Sequence, residues 1–406
     1  MAGAARRLPA GSLERRVTGL PDSRLFPWRA GNRCELLVDG ECFFPRLLAA
    51  IAAARQQVAL ELYLVEPGSC WAALEAALCQ AARRGVRVRC LFDGFGSLAL
   101  GALPAQRLSE AGVELQRYNP LRWRAGWRNL HRDHRKLLVV DRQCAFIGGS
   151  GATDAFWHPP SATSPWHEVM VQVQGPLAAD CQQLFERCWS ACQAGALPWR
   201  QSQRQRAGSL PPRPLLGLGM ARLAFADARQ QRDIVQSLLG QLARARQRIW
   251  LATPYFLPSR KVRRALRQAA RRGVEVRLLL TGRLTDHPPV RYAGQRYYPQ
   301  LLRAGVRIFE YQPRFLHLKQ VLVDDWVSVG SCNFDHWNLY WNLEANLESL
   351  DPGLAQAVAD CFVEDFRHSL EIDQASWRAR PLLVRLRQRL WGWLDRLLVN
   401  LLDRRR

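Results

Sequence analysis

Residues 131–150 read HRDHRKLLVVDRQCAFIGGS. Within this stretch His134 and Lys136 stand two apart, four apolar residues follow, and then come Asp141 and the pair Gly148–Gly149. In a strand, residues i and i+2 share a face, so His134 and Lys136 are expected to point together. The apolar run 137–140 continues that strand, Asp141 marks a turn, and CAFIGGSG (144–151) returns. Small residues at the end of the return strand let the backbone approach a bound group closely. Taken alone, the stretch also fits an ordinary surface strand, because exposed His and Lys are common.

The pattern occurs twice. HLKQVLVDDWVSVGSCN (317–333) repeats it with His317, Lys319, Asp324 and Gly330–Ser331. Of 58 basic residues only three are lysine, and Lys136 and Lys319 are two of them. A chain that uses arginine by default has no stability reason to spare lysine at these two places.

The two copies sit inside a longer repeat. AALCQAARRGVRVRCLFD (76–93) parallels ALRQAARRGVEVRLLLTG (265–282), each a helix ending at a glycine followed by an apolar strand. QQVALELYLVEPG (56–68) parallels QRIWLATPYFLPS (247–259), and LSEAGVELQRY (108–118) parallels LLRAGVRIFEY (301–311). A repeat this long is a duplicated domain rather than a solenoid. The strand–helix alternation predicts the α/β class, with two duplicated α/β/α sandwich halves. The expected layout is an N-terminal arm (1–30), a first half (31–206), a Pro/Gly-rich linker (207–220), a second half (221–370) and a basic tail (371–406).

In that tail Leu383, Leu386, Leu390, Leu394, Leu397 and Leu401 recur at helical spacing, with Trp391 and Trp393 among them. Such a helix either packs on the core or lies in a membrane interface. The formal net charge of +23 points to anionic partners: acidic lipid, nucleic acid or phosphorylated substrates. Eleven cysteines without a CxxC pair indicate free thiols in a reducing compartment. No apolar run approaches a membrane span and the N-terminus lacks a signal-peptide core, so the expected location is cytoplasmic unless the protein binds a membrane face.

These motifs resemble the paired HKD motifs of the phospholipase D superfamily. The stretches RNLHRDHRKLLVVD (128–141), WHEVMVQVQGP (166–176) and NFDHWNLYWNLEANLE (333–348) are more specifically similar to bacterial cardiolipin synthases of the type without N-terminal transmembrane helices. The resemblance implies a pseudo-dimer with one active site between the halves. It implies a catalytic set of His134, Lys136, Asp141, His317, Lys319 and Asp324, although the turn position of both aspartates favours a structural role. His134 would attack phosphorus and His317 would serve the leaving and entering alcohols. Glu168 and Glu344 would orient the histidines, and Gly149, Ser150, Ser331 and Asn333 would line the phosphate pocket.

The residues support that chemistry independently. Imidazole is a nucleophile that can leave again, and a second imidazole supplies acid and base. Lysines stabilise charged phosphoryl oxygens. No metal or cofactor is implied, since His131 and His134 have no carboxylates at ligand spacing. The implied reaction condenses two molecules of phosphatidylglycerol. The expected partners are anionic phospholipids on the cytoplasmic face of a bacterial inner membrane, held peripherally, with no nucleic acid. A phospholipase D-type hydrolase or a nuclease keeps the chemistry and changes the acceptor, and a non-catalytic lipid-binding protein would not need both motifs intact. Two departures stand out. Position 151 is Gly where the family has Asn, and the second hairpin is one residue tighter than the first.

Overall fold

The computed structural model describes residues 26–158, 164–196, 219–227, 233–335, 341–382, 385–388 and 390–393. The proposed linker up to 218, most of the N-terminal arm, and Leu383, Leu394, Leu397 and Leu401 of the tail lie outside these residues.

The duplication is visible strand by strand. Among the described residues of the first half the strands are β1 (Arg33–Val38), β2 (Gln57–Leu62), β3 (Arg87–Asp93), β4 (Glu114–Tyr118), β5 (Arg132–Asp133), β6 (Leu137–Val140), β7 (Cys144–Gly148) and β8 (Val169–Gln174). The second half supplies β9 (Ala221–Asp227), β10 (Arg248–Thr253), β11 (Glu275–Thr281), β12 (Arg307–Tyr311), β13 (Gln320–Val323), β14 (Trp326–Gly330), β15 (Asn342–Ser349) and β16 (Ser369–Ile372). The first sheet runs β1-β8-β7-β6-β2-β3-β4. The second repeats the order as β9-β15-β14-β13-β10-β11-β12 and adds β16 at its edge. That last strand carries the second half past residue 370, where the sequence placed its end.

Helices cover the sheets in the order the repeat predicts. The first half has α1 (Gly40–Ala53), α2 (Ser69–Arg83), α3 (Leu103–Glu110) and α4 (Leu177–Gln193). The second has α5 (Asp233–Arg244), α6 (Arg260–Arg271), α7 (Pro288–Gln295), α8 (Tyr298–Leu302) and α9 (Pro352–Arg367). Gly85 and Gly273 follow α2 and α6 with φ of +88° and +87°, the left-handed conformation that ends a helix without steric penalty. Helices α4 and α9 lie between the sheets. Their Phe185, Trp189, Val358 and Phe362 join Val171, Leu223, Leu322 and Leu347 in one core shared by both halves. Each half has a second core beneath its outer helices. The α/β/α pseudo-dimer expected from sequence is therefore observed.

The halves also exchange backbone. β5 leaves the first sheet's neighbourhood to pair in parallel with the start of β15, Arg132 opposite Asn342 and Asp133 opposite Leu343. In the reciprocal contact His167 bridges to Leu316.

Candidate active site

His134 and Lys136 do not lie in a strand. β6 begins one residue later, and the histidine is held from the other half: its N–H donates to the carbonyl of Leu343 at 3.0 Å. His317 is held likewise, its N–H donating to the carbonyl of His167 at 2.8 Å. The expected side-by-side placement survives, but extended backbone pinned across the halves produces it, not a ladder within one sheet. Between the two, Arg135 is buried in the opposite direction, where Glu61 lies 2.6 Å and Asp133 3.0 Å from its guanidinium.

Each histidine then meets a carboxylate that follows the other motif. His134 Nδ1 lies 3.0 Å from Glu344 Oε1, and His317 Nδ1 lies 2.6 Å from Glu168 Oε2. A carboxylate only accepts, so in His134 the hydrogen is assigned to Nδ1 and Nε2 is left as an acceptor, whereas in His317 Nδ1 faces both Glu168 and Lys319 Nζ (2.8 Å) and Nε2 lies 3.2 Å from the same Nζ. Lys319 Nζ donates to Glu168 at 3.1 Å, and Lys136 Nζ donates to the carbonyl of His134 at 2.6 Å. All six side chains are almost completely buried.

Burial shifts every one of them toward neutrality. It holds His134 and His317 well below the ordinary imidazole value, reinforced by Lys136 and Lys319 for the first and by Lys319 for the second. It draws Lys136 down to about 7 against the pull of Glu344, and lowers Lys319 against Glu168. It pushes Glu344 up to about 8 although Lys136 opposes, and raises Glu168 against Lys319. The site thus favours neutral imidazoles and lowers the pKa of both lysines, Lys136 to about 7.

The histidines open onto a cavity of about 330 Å³ with Lys136, Gly149, Gly151 and Asn333 in its wall. Lining residues that were not foreseen include Tyr63, Phe156, Trp166, Tyr255, Asp286 and His287. Tyr63 and Tyr255 follow β2 and β10, and Asp286 lies in the loop after β11. A signal existed, since ligands of open α/β sheets gather beyond the carboxyl ends of strands. Asn333 Oδ1 is buried without a hydrogen-bond partner among the described residues.

Several expected site residues are elsewhere. Asp141 and Asp324 lie beyond the far ends of β6 and β13, roughly 15 Å along the chain from the lysines. Asp141 accepts N–H groups of Arg55, Gln56 and Gln57, and Asp324 accepts those of Arg246, Gln247 and Arg248. Neither belongs to the pocket, so their place in the catalytic set is corrected to a structural one. The hairpins they open have loops 141–143 and 324–325, one residue apart as counted in the sequence. Ser150 faces away from the pocket into the first-half core, beside Leu62 and Met170, with its hydroxyl on the carbonyl of Gly151. Ser331 donates to Glu344 Oε2 at 2.5 Å and serves the carboxylate, not the pocket. Its counterpart Gly149 has no room for a side chain, because a Cβ there would stand 2.1 Å from Glu168 Oε2. At Gly151 a Cβ would meet the Leu64 carbonyl at 2.6 Å, so Leu64 takes the space an asparagine would need.

Comparison with known proteins agrees with this geometry. The family model described as "Cardiolipin synthase, PLD-like domain" matches residues 47–189 and 238–366, one match in each half. Cardiolipin synthase A of Pseudomonas putida F1 is 35% identical over 367 residues, covering 88% of this chain and 73% of that relative. The chain belongs to the phospholipase D-like cardiolipin synthase family. A second relative, cardiolipin synthase A of Pseudomonas aeruginosa LESB58, is 33% identical over 376 residues, 90% of this chain and 73% of its own. Among solved structures, phosphatidylserine synthase of Haemophilus influenzae Rd KW20 superposes with a TM-score of 0.73 over 97% of this chain and 98% of that one. At 14% identity that likeness shows the fold alone. As a cardiolipin synthase family member, the chain is a phosphatidyltransferase of phospholipid biosynthesis.

Proposed function

We propose that the protein transfers a phosphatidyl group from one phosphatidylglycerol to the headgroup hydroxyl of another, giving cardiolipin and glycerol. The single observation that carries the reading is the crossed pair His134–Glu344 and His317–Glu168 facing one cavity. His134 Nε2 attacks phosphorus and an N–P bond forms. The P–O bond to glycerol breaks, and His317 gives its Nε2 proton to the departing alkoxide. The second phosphatidylglycerol then loses its hydroxyl proton to His317, its oxygen bonds to phosphorus, and the N–P bond breaks. Lys136, Lys319 and Asn333 hold the phosphoryl oxygens as negative charge gathers on them. The phosphodiester also arms the acid: its charge opposes the burial and the Lys319 cation that hold His317 neutral, so that His317 takes from solvent the Nε2 proton it gives to the alkoxide.

The enzyme works at the surface of a membrane, on the cytoplasmic face. Among the described residues no helix is long and apolar enough to cross a bilayer. Leu382, Leu386, Leu390 and Trp393 of the tail are exposed, as is Trp123 beside the segment that leads to His131. All eleven cysteines are free thiols, which suits a reducing compartment.

The test is incubation of the purified protein with labelled phosphatidylglycerol vesicles and identification of products by mass. Cardiolipin plus glycerol is expected, with both lost in His134→Ala. Phosphatidic acid as the sole product would show a hydrolase, and identical behaviour of His134→Ala would remove the proposed chemistry.

A further inference from the structure

A cavity of about 530 Å³, larger than the catalytic pocket, lies between the tail and helices α7 and α8. Five arginines line it: Arg296, Arg303, Arg378, Arg380 and Arg385. Among the described residues no aspartate or glutamate is in its wall. The tail closes one side. Gln388 Nε2 donates to Gln295 Oε1 at 2.7 Å, Arg387 donates to the Tyr292 hydroxyl at 2.9 Å, and Trp391 packs on the second-half core. The outward side of the same segment carries the exposed Leu382, Leu386, Leu390 and Trp393.

Some arginines elsewhere are matched to acids, Arg29 with Asp180, Arg89 with Glu186 and Arg307 with Glu371, while others such as Arg84 and Arg272 donate to backbone carbonyls. In the cavity Arg303, Arg378, Arg380 and Arg385 have no such carboxylate among the described residues. Arg380 instead spends its donors on the Trp377 carbonyl and Gln388 Oε1, each at 2.6 Å. Burial, and then the neighbouring Arg385, bring it down to about 10. Glu310 lies close enough to pull Arg380 the other way, but the arginines of the wall still outnumber it, and guanidinium forks crowded around an opening suit phosphate oxygens.

We propose that this cavity is a phosphate-binding site separate from the catalytic pocket, taking the phosphate of an anionic phospholipid headgroup or free phosphate. The exposed Leu and Trp on the roof favour the lipid source, because an interfacial helix lays such a face into the bilayer boundary. α7 joins the two sites: Asp286 and His287 immediately before it line the catalytic pocket, and Gln295 at its end lines the arginine cavity.

The test uses full-length protein and the variant Arg378→Ala/Arg385→Ala, neither residue being part of the catalytic machinery. Calorimetric titration with inorganic phosphate, against chloride at matched ionic strength, reads the site directly. Co-sedimentation with phosphatidylglycerol-containing vesicles, against phosphatidylcholine vesicles alone, reads the lipid arm. A loss of vesicle affinity of about 10–30-fold in the variant is expected and identifies the headgroup. Loss of phosphate binding with unchanged vesicle binding identifies free phosphate. Wild-type behaviour of the variant in both assays overturns the proposal. Both readouts are equilibrium binding, so they stand apart from any failure of the transfer reaction, which turnover of a monomeric short-chain phosphatidylglycerol reports.

Discussion

Glu344 and His134 are 210 residues apart in the chain and 3.0 Å apart in the fold. Glu168 and His317, 149 residues apart, form the mirror contact at 2.6 Å. Each carboxylate follows one motif and serves the histidine of the other. Removing the charge but not the shape separates their roles. Glu344→Gln and Glu168→Gln each lower kcat by about 10²-fold or more with little change in KM, because each disturbs the tautomer of a reacting ring. In single-turnover experiments both slow the joint appearance of phospho-histidine and glycerol, and the second also slows the consumption of phospho-histidine by the entering alcohol, which His317 deprotonates. Equal kcat for wild type and both variants would refute the orienting role.

Lys136 supplies a pH dependence with a definite sign. Burial brings its pKa down to about 7, so its positive charge fades as pH rises through that value. KM for phosphatidylglycerol therefore climbs above pH 7, by up to about tenfold per unit. Bound phosphodiester returns the charge, so kcat changes less than KM. Lys136→Arg keeps a cation at every accessible pH and flattens the KM profile while lowering kcat. An unchanged profile in that variant counts against the assignment.

Asp141 holds three backbone N–H groups, which outweigh its burial and keep its pKa below the ordinary carboxylate range. The folded-state value is depressed, so the stabilisation is present above about pH 4 and is lost as pH falls. Asp141→Asn costs about 1 kcal/mol at pH 7, allowing for the partial exposure of the carboxylate, and less at pH 3, below the unfolded carboxylate value. Urea melts at the two pH values measure this. Turnover per folded molecule stays at the wild-type level, and a fall in it would return Asp141 to the catalytic set.

His167 carries the opposite sign. Burial works against its charge, but hydrogen bonds to Asp365 in the second half and to Asp39 in the first hold it well above the ordinary imidazole value. Its contribution to stability is complete below about pH 6.5 and disappears as pH rises through the folded value. His167→Gln flattens that dependence and, by loosening the bridge to His317, lowers kcat more than it changes KM. A variant with wild-type pH-dependence of melting would disprove the clamp.

The two glycines of the first motif differ in what they tolerate. Gly149→Ala drives a methyl into Glu168 and costs about 10-fold or more in kcat through loss of ring alignment. Gly151→Asn meets Leu64 backbone and destabilises by about 1–3 kcal/mol without adding a pocket donor. Thermal melts and kinetics of the pair distinguish the two effects.

The duplicated architecture and the reacting residues were legible because both are written as local patterns that recur. Helix, glycine, strand and His-x-Lys repeat at matching distances, and the fold keeps them in matching places. What stayed hidden depends on how the halves meet. Nothing near Glu168 says that it serves His317, since that pairing follows from the bridge between His167 and Leu316. The extended backbone at His134 looked like strand because its partner carbonyl, Leu343, lies in the other copy. Ser331 and Ser150 stand one position apart in their motifs, Ser331 matching Gly149 and Ser150 matching Cys332, so one reaches a carboxylate and the other the core. The arginine cavity was invisible for a plainer reason: in a chain with this much arginine, five more convey nothing until they converge.

The exchange of carboxylates has a consequence for descent. A single half possesses a nucleophile without the acid group that steadies it, and a steadying group with nothing to steady. Before fusion, two identical polypeptides would each have had to lend a glutamate to the other, so the working ancestor was an obligate dimer. Tandem fusion leaves the copies free to differ, one with Gly149 where the other has Ser331, while binding them to a shared fate.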